Sequence, residues 1–150
     1  MTEPTAPIVI SKRFDELTTA ELYDVLRLRC DVFVVEQACA YAELDGRDTE
    51  PATTHHWIPG GDGEPPVAAY LRTLTEPGGI TRVGRVATAP SARGRGLAAR
   101  LVEHVGAAAG GPIVLDAQSH LVDWYRRLGY AVDGPVYVEA GIPHVPMRRA

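Results

Sequence analysis

The segment Val83–Leu101, VGRVATAPSARGRGLAARL, constrains the chain more than any other. It begins with strand-forming residues, turns at Pro90 and a glycine–arginine run, and ends in apolar residues at helical spacing. It carries Arg85, Arg93, Arg95 and Arg100 and no Asp or Glu, in a chain whose net charge is −4. A helix N-terminus has four unpaired N–H groups and the positive end of the helix dipole, and both favour an anion such as phosphate. Gly94 and Gly96 let the backbone turn sharply and approach phosphate oxygens with no Cβ in the way. The amides of Arg95, Gly96, Leu97 and Ala98 are the expected donors, with Arg93 and Arg95 adding charge. No Gly-Lys-Ser/Thr follows, which excludes a P-loop. The plain alternative is a glycine-softened turn with solvated arginines.

A chain of 150 residues suffices for one domain with a real core. Its hydrophobic content of 45% and charged content of 23% are those of a soluble globular protein. No apolar run approaches the roughly 20 residues that span a bilayer, and the first residues lack the basic and apolar blocks of a signal peptide. A cytoplasmic location is therefore expected, with no membrane partner. Cys30 and Cys39 fit that compartment and make no disulfide framework. An acidic balance, pI about 5.7, argues against broad nucleic-acid binding.

Residues 1–7 read as a loose lead. A short strand begins at Ile8 and reaches toward Phe14. Thr18 with Glu21 forms a capping-box pattern, and Leu22, Val25, Leu26, Leu28 and Arg29 follow at helical spacing over Thr19–Arg29. Val32–Gln37 has strand-forming residues in a position that suggests a second short helix. Cys39–Pro51 reads as an acidic loop, either solvated or attracting a cationic acceptor. Strands are expected at His55–Ile58, Pro66–Thr75 and Ile80–Thr88, with Gly84 consistent with a bulge. A helix over Gly96–Ala109 leads to a strand at Ile113–Ala117. A further helix covers His120–Leu128, with Gly129 as its left-handed stop. Strands follow at Tyr130–Val132 and Val136–Val138, with a last edge strand at Val145–Arg148. The strand–helix–strand unit in the middle wants a right-handed crossover between parallel strands.

RGRGLA (Arg93–Ala98), after a strand and before a helix, resembles the R/Q-x-x-G-x-G/A signature of the GCN5-related N-acetyltransferases (GNAT). DWYRRLGY (Asp123–Tyr130) resembles the second motif of that superfamily. LRLRCDVFVVEQACAYAELDGRD (Leu26–Asp48), LDAQSHL (Leu115–Leu121) and GIPHVPM (Gly141–Met147) make the chain look closest to the ElaA-like group. The resemblance covers nearly the whole chain. It implies one α/β (α+β) domain over residues 1–150: a mixed, mostly antiparallel twisted sheet of six or seven strands, flanked by about four helices, with a splayed central parallel pair.

The resemblance also implies an acetyl-CoA-dependent N-acetyltransferase acting on a small-molecule or peptide amine, as a monomer or homodimer. The pantetheine arm of the coenzyme would pair with backbone groups of Val86, Ala87 and Thr88 as an added strand does. Tyr125 would protonate the departing thiolate, a role suited to a phenol, which stays protonated at neutral pH. Helical spacing puts Trp124 with Leu121 and Leu128 in the core and turns Tyr125 toward a neighbouring face. Glu36, in an apolar run where burial raises a carboxyl pKa, is the candidate base. Asp45, Glu43, His120 and His144 compete with it, water can carry the proton, and Glu36 can equally be a buried partner of Arg27 or Arg29. Gln118 and His120 can touch the pantetheine or the acceptor, or cap the helix. The histidines and cysteines have no zinc-like spacing, so no metal is expected. Two other functions remain open: a non-catalytic acyl-CoA sensor, and an acyltransferase with a different donor, since RCDVFVVEQ slightly resembles the start of acyl-homoserine-lactone synthases.

Overall fold

The computed structural model describes residues 7–40 and 42–150. The lead expected over residues 1–7 therefore falls outside it, except for Pro7, whose carbonyl accepts from Arg100 Nε at 2.8 Å. The first strand, β1, is Ile10–Arg13, and helix α1 is Thr19–Arg29. The capping box forms as expected: Glu21 N–H donates to Thr18 Oγ1 at 3.1 Å, and Thr18 N–H donates to the Glu21 carboxylate at 2.9 Å. That satisfies two of the four orphan donors at the helix start. The Glu21 carboxylate also pairs with Lys12 at 2.8 Å, tying α1 to β1. Past Arg29 the helix does not end but widens into a π-helical turn over Cys30–Glu36, which buries Val32. Helical continuation keeps the backbone paired, and this outweighs the strand preference of Val32–Val35.

Six more strands and two more helices lead to the final strand. They are β2 (Thr54–Pro59), β3 (Val67–Glu76), β4 (Ile80–Thr88), α2 (Leu97–Ala108), β5 (Ile113–Gln118), α3 (Val122–Arg127), β6 (Ala131–Val132) and β7 (Tyr137–Glu139), before β8 (Ile142–Arg149). Among the described residues one eight-stranded sheet runs β1-β2-β3-β4-β5-β8-β6, with β7 also on β8. The pairings are antiparallel except β4–β5, which is parallel and bridged by α2 as crossover. The architecture is the expected α+β one, with eight strands where six or seven were expected and three α-helices where about four were. The last strand is not at the edge. β8 lies between β5 on one side and β6 and β7 on the other, because the short strands before it fold back onto it. On one face α2 buries Leu97, Leu101, Val102 and Val105, an apolar stripe at helical spacing.

Two departures from regular pairing shape the centre of the sheet. Tyr70 faces Ala87 and Arg72 faces Gly84, so Leu71 opposes both Arg85 and Val86. This is a β-bulge, and Arg85 carries it in a left-handed conformation, φ 54°. Gly84 flanks the bulge and has no positive φ of its own. Before it, β4 and β5 pair at Thr81↔Ile113 and Arg82↔Val114 only, and from there on they part.

The acidic loop is neither solvated nor an open cation trap. Arg29 is fully buried. Its Nε donates to Glu43 at 2.8 Å and its Nη1 to Asp48 at 2.7 Å. Arg72 binds Asp45 and also Asp48, the latter at 3.0 Å, and Arg85 reaches Glu43 at 3.1 Å and Asp45 at 3.4 Å. His55 Nε2 donates to the Asp48 carbonyl at 3.1 Å, so its Nδ1 accepts from the Tyr70 hydroxyl at 2.7 Å. His56 points to the other face, as adjacent strand residues must, and meets Ser11 at 2.8 Å and Thr73 at 3.0 Å.

This network sets a sign for acid stability. Burial opposes ionisation of Asp48, but Arg29 and Arg72 outweigh it and hold its carboxyl below the usual range. Arg72 does the same for Asp45. A carboxyl with a depressed folded pKa contributes stability that is complete above its unfolded value, about 3.9, and lost as pH falls toward the folded one. His56, pushed down to about 4 by burial, adds a separate decline from about pH 6.5 to about pH 4, since only the unfolded chain takes up its proton there. Urea unfolding should show stability falling from pH 6.5 and more steeply below pH 4. Asp48→Asn, which breaks a buried pair, should cost roughly 3–5 kcal/mol at neutral pH and flatten the region below pH 4.

Candidate functional site

A cavity of about 590 Å³ opens where β4 parts from β5. Val86, Ala87 and Thr88 form its β4 wall. Their edge toward β5 has no ladder partner, which leaves room for an extended chain to pair there. Gly94, Gly96, Leu97 and Ala98 close one end. Gly94 has φ 81° and Gly96 φ 73°, so both use the freedom that led the sequence reading to them. Nothing lies within 4 Å of an added Cβ at either position, so the turn is open toward the cavity. No side chain caps the 12-residue helix α2 at Gly96, which leaves its first N–H groups for a ligand. The cradle thus fits a phosphate.

Arg93 and Arg95 are placed differently from expectation. Arg93 lines the cavity and Arg95 does not, and each is already paired. Arg93 Nη2 binds Glu36 at 2.6 Å and its Nε donates to the Thr88 carbonyl, while Arg95 binds Glu64 at 3.1 Å. Their charge is therefore partly neutralised, and the groups left open at the turn are the backbone N–H groups that start α2.

A second cavity of about 480 Å³ lies on the other side, between the π-helical turn, the acidic loop and β7–β8. Gln37, Val86, Gln118, Leu121 and Tyr125 line both cavities and form the passage between them. Across it Gln118 Nε2 donates to Gln37 Oε1 at 3.1 Å, joining β5 to the end of the π-helical turn. Gln118 therefore sits at the junction. His120 is exposed and borders the first cavity only.

Tyr125 is at the same junction, but its helix phase corrects the expectation. Tyr125 is the buried residue, at 5% exposure, and Trp124 is only partly buried. Residues Ser119–Leu121 form a 3₁₀ turn, which advances about 120° per residue rather than 100°, and this rotates the inward face by part of a turn. Tyr125 is held edge-on between Trp124 at 4.8 Å and Tyr130 at 6.0 Å. Burial pushes its phenol above the ordinary tyrosine range, so it keeps its proton.

Glu36 departs most from expectation. It is exposed, and neither Arg27 nor Arg29 is its partner. The Arg93 guanidinium beside it lowers its pKa, where burial was expected to raise it. The π-helical turn displays Glu36 at its outer end and buries Val32 instead. Sequence reasoning missed Gln37, but it did expect a bulge at Gly84, and the structure carries one at the next residue, Arg85. Gln37 ended an ambiguous segment and carried no pattern, whereas Gly84 within a strand was the signal for the bulge.

Comparison with known proteins supports the fold and the family. Residues 32–150 match the acetyltransferase (GNAT) domain family. The chain is 44% identical over 138 residues to a UPF0039 protein of Mycobacterium tuberculosis, covering 89% of this chain and 87% of that one. Among solved structures, an acyl-CoA N-acyltransferase from Pseudomonas aeruginosa superposes with TM-score 0.85 at 40% identity, covering 97% of this chain and 100% of that one. Escherichia coli ElaA does so with TM-score 0.85 at 31% identity and the same coverage. With its splayed strand pair, glycine cradle and twin cavities, the chain belongs to the GNAT acetyltransferase family, in its ElaA-like group, and is an acyltransferase.

Proposed function

We propose that this protein moves an acetyl group from acetyl-CoA to a primary amine by direct attack on the thioester. The observation that carries this reading is Tyr125 in the passage between the two cavities. The pyrophosphate rests on the amides that open α2, the pantetheine arm pairs along Val86–Thr88, and the thioester reaches Tyr125. The amine enters through the second cavity. As the C–N bond forms and the C–S bond breaks, the phenol gives its proton to the thiolate and is reprotonated from the new amide nitrogen. Cys30 and Cys39, both free thiols, fit action in the cytoplasm.

The exposed, arginine-paired Glu36 does not suit the base role and is better read as a partner that orients Arg93. A sensor that binds acyl-CoA without chemistry, or an acyltransferase using another donor, makes a distinct prediction: calorimetric binding of acetyl-CoA with no acetylated product from any amine. Turnover of acetyl-CoA on an amine panel decides the matter. Tyr125→Phe should lower kcat by about 10²–10⁴-fold with little change in acetyl-CoA affinity. Equal rates for the variant and wild type would remove Tyr125 from the chemistry. Gly96→Val tests the cradle, since a β-branched residue is strained at φ 73°. CoA affinity measured by calorimetry should weaken about tenfold or more, while the melting temperature shifts by only a few degrees.

A further inference from the structure

We infer that His144 is the group that takes the proton from the acceptor ammonium. This rests on the acetyl-transfer reading above. His144 Nδ1 lies 2.7 Å from the carbonyl oxygen of Ile142. A carbonyl only accepts, so Nδ1 carries the proton, and in the neutral ring the lone pair is on Nε2. The half-buried ring lines the second cavity and not the donor one, which is where an amine arrives. In the β5–β8 ladder His144 faces Gln118, so the two side chains share one face of the sheet, and Gln118 belongs to the passage that holds Tyr125. Tyr137 stacks on the imidazole at 5.7 Å and 22°, fixing its plane.

Three other carboxylates in that cavity are engaged. Glu43 and Asp45 are paired with arginines of the buried network, and Asp116 pairs with Arg82 at 2.8 Å. Glu139 remains, on β7 beside the ring, as the competitor. The proton count closes. The ammonium brings three N–H protons: one leaves through His144 Nε2 to water, one reaches the CoA thiolate by way of Tyr125, and one stays on the amide.

The experiment compares three variants on the amines that wild type acetylates. His144→Asn keeps a donor for the Ile142 carbonyl but has no basic nitrogen. His144→Ala leaves space for added imidazole. Glu139→Gln is the control. His144→Asn and His144→Ala should each lose about 10²–10⁴-fold in kcat/KM for the amine. Calorimetric acetyl-CoA affinity should stay within about threefold of wild type, and imidazole should restore turnover to His144→Ala. A merely structural role would not be rescued by imidazole. A fast His144→Asn, a failed rescue, or a selective loss in Glu139→Gln would overturn this assignment alone. Wild type that binds acetyl-CoA and acetylates no amine would overturn the acetyl-transfer reading and the assignment with it.

Discussion

The parting of β4 from β5 after Arg82↔Val114 is the constraint on which the rest depends. Adjacent strands normally stay paired because an unmade backbone hydrogen bond is costly. Here the bulge at Arg85 adds local twist and swings the second half of β4 away from its neighbour. The left-handed φ of Arg85 is strained for a residue with a Cβ, by roughly 1–2 kcal/mol. The same guanidinium reaches Glu43 and Asp45 across to the acidic loop. Bulge, opening and loop are therefore one mechanical unit.

That view gives the buried charges a purpose. A buried ion pair is weak evidence for stability, because desolvation can exceed the attraction. Arg29, Glu43 and Asp48 instead fix position. They fasten α1 to the loop, and through Arg72 they fasten the loop to β3. Glu43, Asp45, Arg72 and Arg85 also wall the second cavity, so the shape of that cavity is set by side chains already committed to each other. A pre-formed wall of this kind loses little entropy when an acceptor arrives.

What the sequence disclosed was mostly local. Thr18 and Glu21 announce a helix start because the capping box closes within one turn, and Gly94, Gly96 and Gly129 announce turns because only glycine adopts a left-handed conformation at little cost. The glycine cradle was legible for the same reason, whereas the strand edge at Val86–Thr88 came from the family resemblance alone. What stayed hidden depends on distant partners. Glu36 finds Arg93 across 57 residues, and Arg72 finds Asp45 across 27. An acidic loop looks the same in sequence whether it faces water or three arginines. The inversion of Trp124 and Tyr125 came from a smaller cause, a 3₁₀ turn that shifts helical phase without changing composition.

On the proposed acetyl-transfer reading, the two sides of the passage would recognise their ligands by different means. The first cavity offers mainly backbone: the amides that open α2, the glycine dihedrals and the free edge of β4. The second offers side chains from the π-helical turn, the loop, β7 and β8. On that reading, substitutions on the second wall would change the acceptor without disturbing the coenzyme site. The buried phenol of Tyr125 adds a condition on the chemistry between them. Its raised pKa makes it a weak acid, so a step that left a phenolate in that dry junction would be uphill. If Tyr125 is the donor, proton transfer to sulfur must be coupled to proton return from nitrogen. That coupling would require sulfur, nitrogen and phenol to meet at one point, which on this reading is the junction where Tyr125 lines both cavities.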